Sequence, residues 1–311
     1  MAAGPFLPPI SHPDEFGAVR AADIYRPALE AIAERHRLAG EPRRYPGGSL
    51  PVFALGDEHV VKLFPPPFRR NRDNERDALE FLAGKLAVST PALRAADELD
   101  GWPYLVMAQL PGRPMDRVWS SLGRDDRLRL AGEVGEMIGE LHALPAGGAV
   151  LPFARMVWDA FIEERRAGCA ERQAGRGADP VWVARIPAFL SHIDLTDARS
   201  AVFLHTEVMP EHLLVTDAGR LGGLIDFEPS MIGGREYEFA SVGIFFARGD
   251  RELLRRVLLA AGHAPGPALS RRLLAYALLH RYSHLGWYLE RMPPKPGTGT
   301  FDALADEWFA L

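Results

Sequence analysis

The chain has 311 residues, of which 36 are Lys or Arg and 41 are Asp or Glu, so its formal net charge is −5 at pH 7. A 47% hydrophobic content with this small net charge is typical of a globular protein and excludes a disordered chain. The acidic balance argues against a dedicated nucleic-acid-binding protein, which would carry a basic excess. The length predicts about two domains or lobes, each large enough to bury a core.

Targeting and redox signals are also absent from the sequence. The single cysteine, Cys169, excludes an intrachain disulfide and a cysteine-based zinc site. No apolar run approaches the ~18 residues of a transmembrane helix, and the N-terminus lacks the basic and apolar regions of a signal peptide. We therefore expect a cytoplasmic protein, monomeric or homodimeric, with neither nucleic acid nor membrane as a partner.

The first third of the chain is predicted to be rich in β-structure. The elements expected there are a helix over residues 23–38, strands over 52–55 and 59–64, a helix over 72–86 and a strand over 102–107. Apolar residues recur at helical spacing in the two helices. The turn residues Gly56-Asp57-Glu58 between two apolar runs predict a hairpin.

The remainder of the chain is predicted to be mainly helical. Helices are expected within residues 125–143, 155–195 and 250–290, and short strands over 202–205, 213–215 and 221–225. Because strands and helices are segregated rather than alternating, the pattern predicts an α+β fold in two lobes. We place the N-terminal lobe at 1–107, a hinge at 108–114 and a helical C-terminal lobe at 115–311, with a substrate-side helical segment at about 155–200.

The strongest chemical signal is a polar loop at residues 205–212 that lies between apolar strands and is followed by Asp226. We expect Glu207 and Asp226 to lie close together across the mouth of a hairpin. Two carboxylates there could divide the chemistry, one accepting a proton and the other holding a divalent cation. A surface hairpin with solvated acids is the alternative, and the spacing alone leaves both interpretations open.

The segment from His205 to Val215, with Ile225-Asp226-Phe227 after it, resembles the H-G-D-x-x-x-x-N and I-D-F motifs of the aminoglycoside phosphotransferase and choline kinase-like family, relatives of protein kinases. Residues 233–240 resemble that family's G-D-P-x-Y-D-L-A segment, and residues 161–166 resemble hygromycin-type phosphotransferases. The resemblance spans about residues 45–285. It implies a kinase-like fold with a small antiparallel N-lobe sheet and a larger, mainly helical C-lobe.

The resemblance also implies a nucleotide site for ATP, with GTP as an alternative. Lys62 would contact the phosphates and Glu75 would pair with Lys62, as kinases require. The remaining nucleotide-binding residues implied by the resemblance are Gly47, Gly48 and Ser49 over the phosphates, and Met107, Ala108 and Leu110 around the adenine.

On the catalytic side, Asp226 would hold Mg²⁺, with Mn²⁺ as an alternative, and His205 would brace the loop. Two departures from the family pattern bear on the chemistry: Glu207 replaces the catalytic Asp and His212 replaces a metal-binding Asn. Glu adds one methylene, about 1.5 Å of reach. Because imidazole suits softer metals than Mg²⁺, His212 would leave a metal position unfilled, select Mn²⁺ or Zn²⁺, or contact phosphate directly.

Three functional hypotheses follow. The first is a phosphotransferase that acts on a hydroxyl of an aminoglycoside-like or other small polar acceptor. The second is a nucleotide- or small-molecule-binding pseudokinase in which Glu207 and His212 weaken transfer. The third, a metal hydrolase that uses Glu207, His205 and His212, lacks a recognisable ligand set.

One further pair, His280 and His284, has the four-residue spacing of helical metal ligands. No third ligand is evident, and aromatic residues surround the pair. We therefore predict that these histidines line the core or a pocket instead of binding a metal.

Overall fold

The computed structural model describes residues 5–19, 23–145, 157–195, 201–309 and 311. The chain divides into two compact units. The sheet unit runs to Pro111 and includes the segment Gly223–Pro229, whereas the helical unit begins at Gly112 and includes Ser230–Leu311. From the sequence we placed Asp226 in the C-terminal lobe, but its segment packs within the sheet unit, where Leu224 N–H donates to the Ser89 carbonyl at 3.0 Å.

The sheet unit contains one antiparallel sheet with strand order β1-β2-β3-β5-β4. Its strands are β1 (Pro42–Arg44), β2 (Val52–Leu55), β3 (His59–Leu63), β4 (Leu93–Leu99) and β5 (Trp102–Ala108). Its helices are α1 (Phe16–Val19), α2 (Arg26–His36) and α3 (Arg69–Leu82). The predicted hairpin is β2–β3, and the predicted antiparallel sheet is confirmed, although β1 and β4 were not foreseen.

The register of this sheet positions one charged residue at its centre. Lys62 lies in β3 opposite Val52 of β2 and Leu105 of β5. The neighbouring residues Val61 and Leu63 are fully buried, as expected for a central strand. Lys62 is therefore the polar exception in an apolar strand, and such an exception needs a specific partner.

The helical unit carries two small sheets. Its strands are β6 (Arg113–Pro114), β7 (Ala201–Leu204), β8 (Leu213–Val215), β9 (Leu221–Leu224) and β10 (Met231–Gly234). One sheet has the order β6-β8-β9, and in the other β7 pairs with β10 in antiparallel register, Leu204 opposite Met231. β9 begins in the helical unit, and its last two residues belong to the sheet unit. The predicted strands correspond to β7, β8 and β9.

The helices of this unit are α4 (Met115–Val118), α5 (Arg124–Ala143), α6 (Trp158–Ala167), α7 (Cys169–Gly175), α8 (Pro180–Val183), α9 (Ile186–Ser191), α10 (Glu238–Ser241), α11 (Arg251–Ala260), α12 (Pro267–Leu279), α13 (Leu285–Arg291) and α14 (Phe301–Trp308), with a π-helical segment at Val242–Ala247. α5 agrees with the predicted helix at 125–143. Of the predicted segment 155–200, residues 155–156 and 196–200 lie outside the described residues. Within the described ranges, no helix combines the length and hydrophobicity needed to cross a lipid bilayer.

The close packing of α5 on α11 depends on glycine. A Cβ atom at Gly135 would lie 2.2 Å from the Val257 carbonyl oxygen and 2.7 Å from the Ala260 Cβ. One turn later on the same helix, a Cβ at Gly139 would lie 3.6 Å from the Ala261 Cα, an ordinary contact. The two helices thus approach most closely at Gly135, where no side chain fits.

We expect Gly135→Ala to destabilise the fold by about 1–3 kcal/mol, the usual cost of overpacking. Gly139→Ala is the matched control, and it should be neutral or stabilising because Ala favours a helix interior over Gly by up to ~1 kcal/mol. The midpoint of urea unfolding of both variants measures the difference. Equal midpoints would mean that α5 and α11 can separate at no cost.

Candidate active site

A buried ion cluster forms around Lys62 in the sheet unit. The Lys62 Nζ lies 2.7 Å from Glu75 Oε2, 2.6 Å from Asp226 Oδ1 and 3.8 Å from Glu228 Oε2. Lys62 and Glu75 are 5% and 2% exposed, so both charges have left water almost completely. Such groups are tolerated inside a protein only when they are paired. The Lys–Glu pair expected from the sequence is therefore present, and Glu228 joins it.

The electrostatics of the cluster favour the charged lysine. Burial alone would lower the pKa of Lys62, but the carboxylates of Asp226, Glu75 and Glu228 outweigh burial and raise that pKa well above its ordinary value. Burial and the neighbouring Asp226 raise the pKa of Glu75, against the opposing effect of Lys62. One ammonium therefore faces three carboxylates in this cluster.

The segment with Asp226 is held in a strained conformation. The Asp226 backbone has φ 71°, in the left-handed region that non-glycine residues rarely adopt. Phe227 is fully buried next to it, and Asn74 of α3 donates to the Glu228 carbonyl at 2.7 Å. The Asp226 side chain remains 29% exposed, in contrast to its lysine partner. Strain of this kind persists where the surroundings fix the backbone, and it concentrates at functional sites.

The donor set suits a hard divalent cation. One carboxylate oxygen each from Glu75, Asp226 and Glu228 lies within 4.8 Å of the others. Carboxylate oxygens are the ligands that Mg²⁺ and Mn²⁺ prefer. From the sequence we assigned no role to Glu228. Its position two residues after Asp226 gave no signal, because the rule that side chains at i and i+2 share a side holds for an extended chain, and Asp226 has a left-handed backbone.

The nucleotide-binding residues expected from the sequence lie on the same unit. Gly47 and Gly48, with φ 89° and 75°, precede the exposed Ser49 in the connection from β1 to β2. A Cβ at Gly47 would meet nothing within 4 Å, so the left-handed backbone and not crowding requires glycine here. The role of these residues at the phosphates stays a prediction.

The proposed adenine-binding residues follow β5. Met107 is 5% exposed, and the Ala108 N–H donates to the Ala92 carbonyl at 2.8 Å. Recognition of adenine at Ala108 would therefore use its carbonyl instead of its amide, with Leu110 two residues further on. This assignment also stays a prediction.

The loop at residues 205–212, the catalytic loop implied by the family resemblance, belongs to the helical unit, where Glu238 of α10 anchors it. The fully buried Glu238 carboxylate accepts the backbone N–H groups of His205 and Thr206, each at 2.7 Å. Hydrogen bonds to a charged acceptor are the stronger kind. Glu238 corresponds in sequence to the second Asp of the family's G-D-P-x-Y-D-L-A segment, and the structure gives it a defined anchoring role.

Two histidines hold the backbone of Glu207. The Glu207 N–H donates to His205 Nδ1 at 3.3 Å, and His212 Nδ1 lies 2.8 Å from the Glu207 carbonyl oxygen. Because a carbonyl can only accept, His212 Nδ1 carries the proton, and in the neutral ring Nε2 then has the lone pair that a metal ligand needs. His205 braces the loop as expected, whereas His212 as a metal ligand stays a prediction.

The Glu207 side chain is half-buried, and it influences one neighbouring phenol. Burial, with a smaller contribution from the Glu207 charge, raises the pKa of Tyr288 in α13 to about 12. A half-buried carboxylate on a fixed backbone, beside a neutral phenol, can accept a proton from a bound hydroxyl group.

His280 and His284 make separate contacts with the backbone. His280 Nε2 lies 3.1 Å from the Thr206 carbonyl oxygen, and His284 Nδ1 accepts the Trp287 N–H at 3.1 Å at the start of α13. Burial, with a smaller effect of Arg281, lowers the pKa of His280 to about 4, although its bond to Thr206 opposes this. The expectation that this pair lines the core instead of forming a metal site agrees with these contacts.

Residues 41–274 match the model of a family described as "Phosphotransferase enzyme family". The chain belongs to this phosphotransferase family. The match includes Lys62, Glu75, Glu207 and Asp226 and covers well over half of the chain, so the family resemblance stated from the sequence is confirmed.

Solved structures agree on the fold. The GDP complex of an aminoglycoside 2'-phosphotransferase-IIIa mutant is 17% identical, with 92% of this chain and 94% of that chain covered and a TM-score of 0.67. The streptomycin–ATP–APH(2")-IIa ternary complex is 19% identical, with 90% and 96% covered and a TM-score of 0.64. The macrolide 2'-phosphotransferase MphH from Brachybacterium faecium is 21% identical, with 86% and 98% covered and a TM-score of 0.60. The phosphotransferase therefore has the two-lobed kinase-like fold expected from its sequence.

The low pKa of His280 makes stability depend on pH. A histidine with an ordinary pKa near 6.5 unfolded and about 4 folded binds its proton more readily in the unfolded chain. The free energy of unfolding should therefore fall as the pH drops from about 6.5 to about 4, by ~3 kcal/mol for the full shift. His280→Gln cannot titrate, so its fall over this range should be smaller by that amount.

Urea unfolding of the wild type and of His280→Gln at pH 7, 5.5 and 4.5 measures this difference. Burial and nearby cations also lower the pKa of His263 to about 4, so some pH dependence should survive in the variant. Identical pH profiles for the two proteins would show that His280 titrates normally in the folded state.

Proposed function

We propose that this phosphotransferase transfers the terminal phosphoryl group of ATP, or of GTP, to a hydroxyl of an aminoglycoside-like or other small polar acceptor. The observation that carries the proposal is the cluster in which the buried Lys62 meets Glu75 and Asp226, with Glu228 beside them. Phosphoryl transfer needs cations that hold phosphates in place, and a kinase requires its Lys–Glu pair and its metal-binding Asp together.

Each residue of the cluster would have a separate task. Lys62 would contact the nucleotide phosphates, and Glu75 would keep its ammonium oriented. Asp226 and Glu228 would hold Mg²⁺ or Mn²⁺, which when bound supplies positive charge to the phosphate oxygens. Gly47 and Gly48 would bring backbone N–H groups close to the phosphates.

Glu207 would act on the acceptor. The acceptor oxygen would form a bond to the terminal phosphorus as the bond to the bridging oxygen of the nucleotide breaks, and the hydroxyl proton would pass to the Glu207 carboxylate. The hydrogen bonds of its N–H to His205 and of His212 to its carbonyl support this role, because a general base must be positioned within hydrogen-bond reach. His212 would contact a phosphate or a metal softer than Mg²⁺.

A pseudokinase is the second candidate, and the exchanges at Glu207 and His212 favour it. Under this hypothesis the chain binds a nucleotide through the Lys62 cluster but transfers its phosphoryl group poorly, because the longer Glu207 side chain misplaces the carboxylate. A misplacement of ~1 Å can cost ~100-fold in rate. Binding and transfer must therefore be measured separately.

Nucleotide binding should raise the melting temperature, since a ligand that binds only the native state stabilises it. We expect a thermal shift with ATP or GTP when Mg²⁺ or Mn²⁺ is present. Lys62→Met should lose most of this shift, and Asp226→Asn should lose its metal-dependent part. Each shift is taken relative to the variant's own melting temperature.

Lys85→Met is the matched control, because Lys85 is exposed and its Nζ lies over the Phe81 ring at 3.9 Å. Its nucleotide shift should equal that of the wild type. Absence of a shift with every nucleotide–metal pair at millimolar concentration would remove both nucleotide hypotheses.

Glu207→Gln should lower turnover by roughly 100-fold or more, the usual contribution of a positioned general base. It should leave the nucleotide-induced thermal shift unchanged, because Glu207 is proposed to face the acceptor. Phosphoryl transfer to a panel of hydroxylated, cationic small molecules measures turnover. Glu211→Gln removes an exposed carboxylate from the same loop and should leave turnover unchanged.

Full turnover in Glu207→Gln would refute the base assignment. A different result would favour the pseudokinase: no transfer by the wild type, and transfer gained when Glu207→Asp is combined with His212→Asn. That combination restores the residue types of the family pattern at both positions.

A further inference from the structure

The residue before Glu207 is held in an unfavourable backbone conformation. Thr206 has φ 73°, in the left-handed region, although threonine is β-branched and the family pattern has glycine at this position. A β-branched residue in this region is a genuine outlier. Such a conformation persists only where the surrounding structure fixes the peptide groups on both sides.

Both sides of Thr206 are fixed by buried side chains. The Glu238 carboxylate accepts its N–H at 2.7 Å, and His280 Nε2 lies 3.1 Å from its carbonyl oxygen. The tautomer of His280 follows from its other contact, because the Tyr282 N–H points to Nδ1 at 3.3 Å and Nδ1 must therefore accept. Nε2 then carries the proton and donates to the Thr206 carbonyl.

His280 is itself rigidly placed. Its ring stacks on Tyr237, with centroids 5.1 Å apart and planes inclined by 21°, and the residue is only 4% exposed. At the end of α12, the Arg165 guanidinium donates to the carbonyls of Leu279 at 3.0 Å and His280 at 2.7 Å. The stacking on Tyr237 and the hydrogen bonds from Arg165 thus fix the orientation of the imidazole ring, so that Nε2 faces the Thr206 carbonyl.

We propose that His280 is a positioning residue for phosphoryl transfer: by donating to the Thr206 carbonyl it fixes the Thr206–Glu207 peptide and so directs the Glu207 carboxylate toward the acceptor hydroxyl. This inference rests on the proposed role of Glu207. The Thr206 carbonyl belongs to the same peptide group as the Glu207 N–H, which donates to His205 Nδ1. Rotation of that peptide would therefore displace the Glu207 backbone and disturb both bonds.

A pair of substitutions separates the hydrogen bond from the bulk of the ring. His280→Phe keeps an aromatic ring against Tyr237 but removes the donor, whereas His280→Gln places an amide N–H donor at a similar reach. We expect His280→Phe to lower kcat by ~10–100-fold with little change in the nucleotide KM, since small misplacements of a catalytic group cost rates of this order. His280→Gln should recover most of the loss.

Hydrogen exchange provides a readout that does not need activity. The amides of residues 205–207 should exchange faster in His280→Phe than in the wild type, and His280→Gln should restore their protection. His263→Phe is the control: it replaces another histidine of low pKa in the helical unit, whose ring packs edge-on against Phe239 at 4.7 Å. It should leave kcat and the exchange of the loop unchanged even if its melting temperature falls.

Several results would overturn the proposal. They are wild-type kcat and loop exchange in His280→Phe, no recovery in His280→Gln, or an equal loss of kcat in His263→Phe. If the wild type transfers phosphate to no acceptor, the proposed function fails, and the hydrogen-exchange data alone test whether His280 fixes the loop. Faster exchange in His280→Phe with recovery in His280→Gln supports this positioning role, and unchanged exchange refutes it.

Discussion

A lysine ammonium buried among carboxylates is the interaction on which the sheet unit depends. Lys62 from β3 meets Glu75 from α3 and Asp226 from the segment Gly223–Pro229, so three distant parts of the sequence converge on one charge. Removing one partner of a buried pair is strongly destabilising, because the remaining charge is left without compensation. The register of β3, the rotation of α3 and the path of the segment are therefore mutually constrained.

The composition of this cluster indicates a functional site as well as a stabilising ion pair. A single Lys–Glu pair would satisfy the lysine, but Asp226 and Glu228 add carboxylates that the lysine alone does not require. Asp226 also keeps part of its side chain exposed and has a strained backbone. Clustered carboxylates, partial access to solvent and backbone strain occur together at sites that bind cations and ligands.

In the helical unit, the catalytic loop is held by side chains that each bind its backbone. The exchange of Asp for Glu at position 238 keeps both bonds at 2.7 Å, so the longer side chain still reaches the amides of His205 and Thr206. Family membership and kinase-like folds are shared by proteins that act on different acceptors. The fold therefore does not identify the acceptor.

The sequence by itself determined the features whose signals are local. A turn motif between two apolar runs predicted the β2–β3 hairpin, apolar periodicity predicted α5, and the motifs at residues 205–215, 225–227 and 233–240 predicted the family. β4 and β10 escaped prediction, since β4 has a single buried residue and shows no regular alternation, and β10 ends in two glycines.

Only the tertiary structure decided which side chains complete each site. Glu228 joins Lys62 across more than 160 positions of the chain, and Glu238 and His280 reach the catalytic loop from 33 and 74 positions away. A hydrogen bond between such residues depends on the packing of whole helices and strands, and no spacing or residue pattern in the sequence encodes that distance. The roles of Glu228, Glu238 and His280 therefore became visible only once the chain was folded.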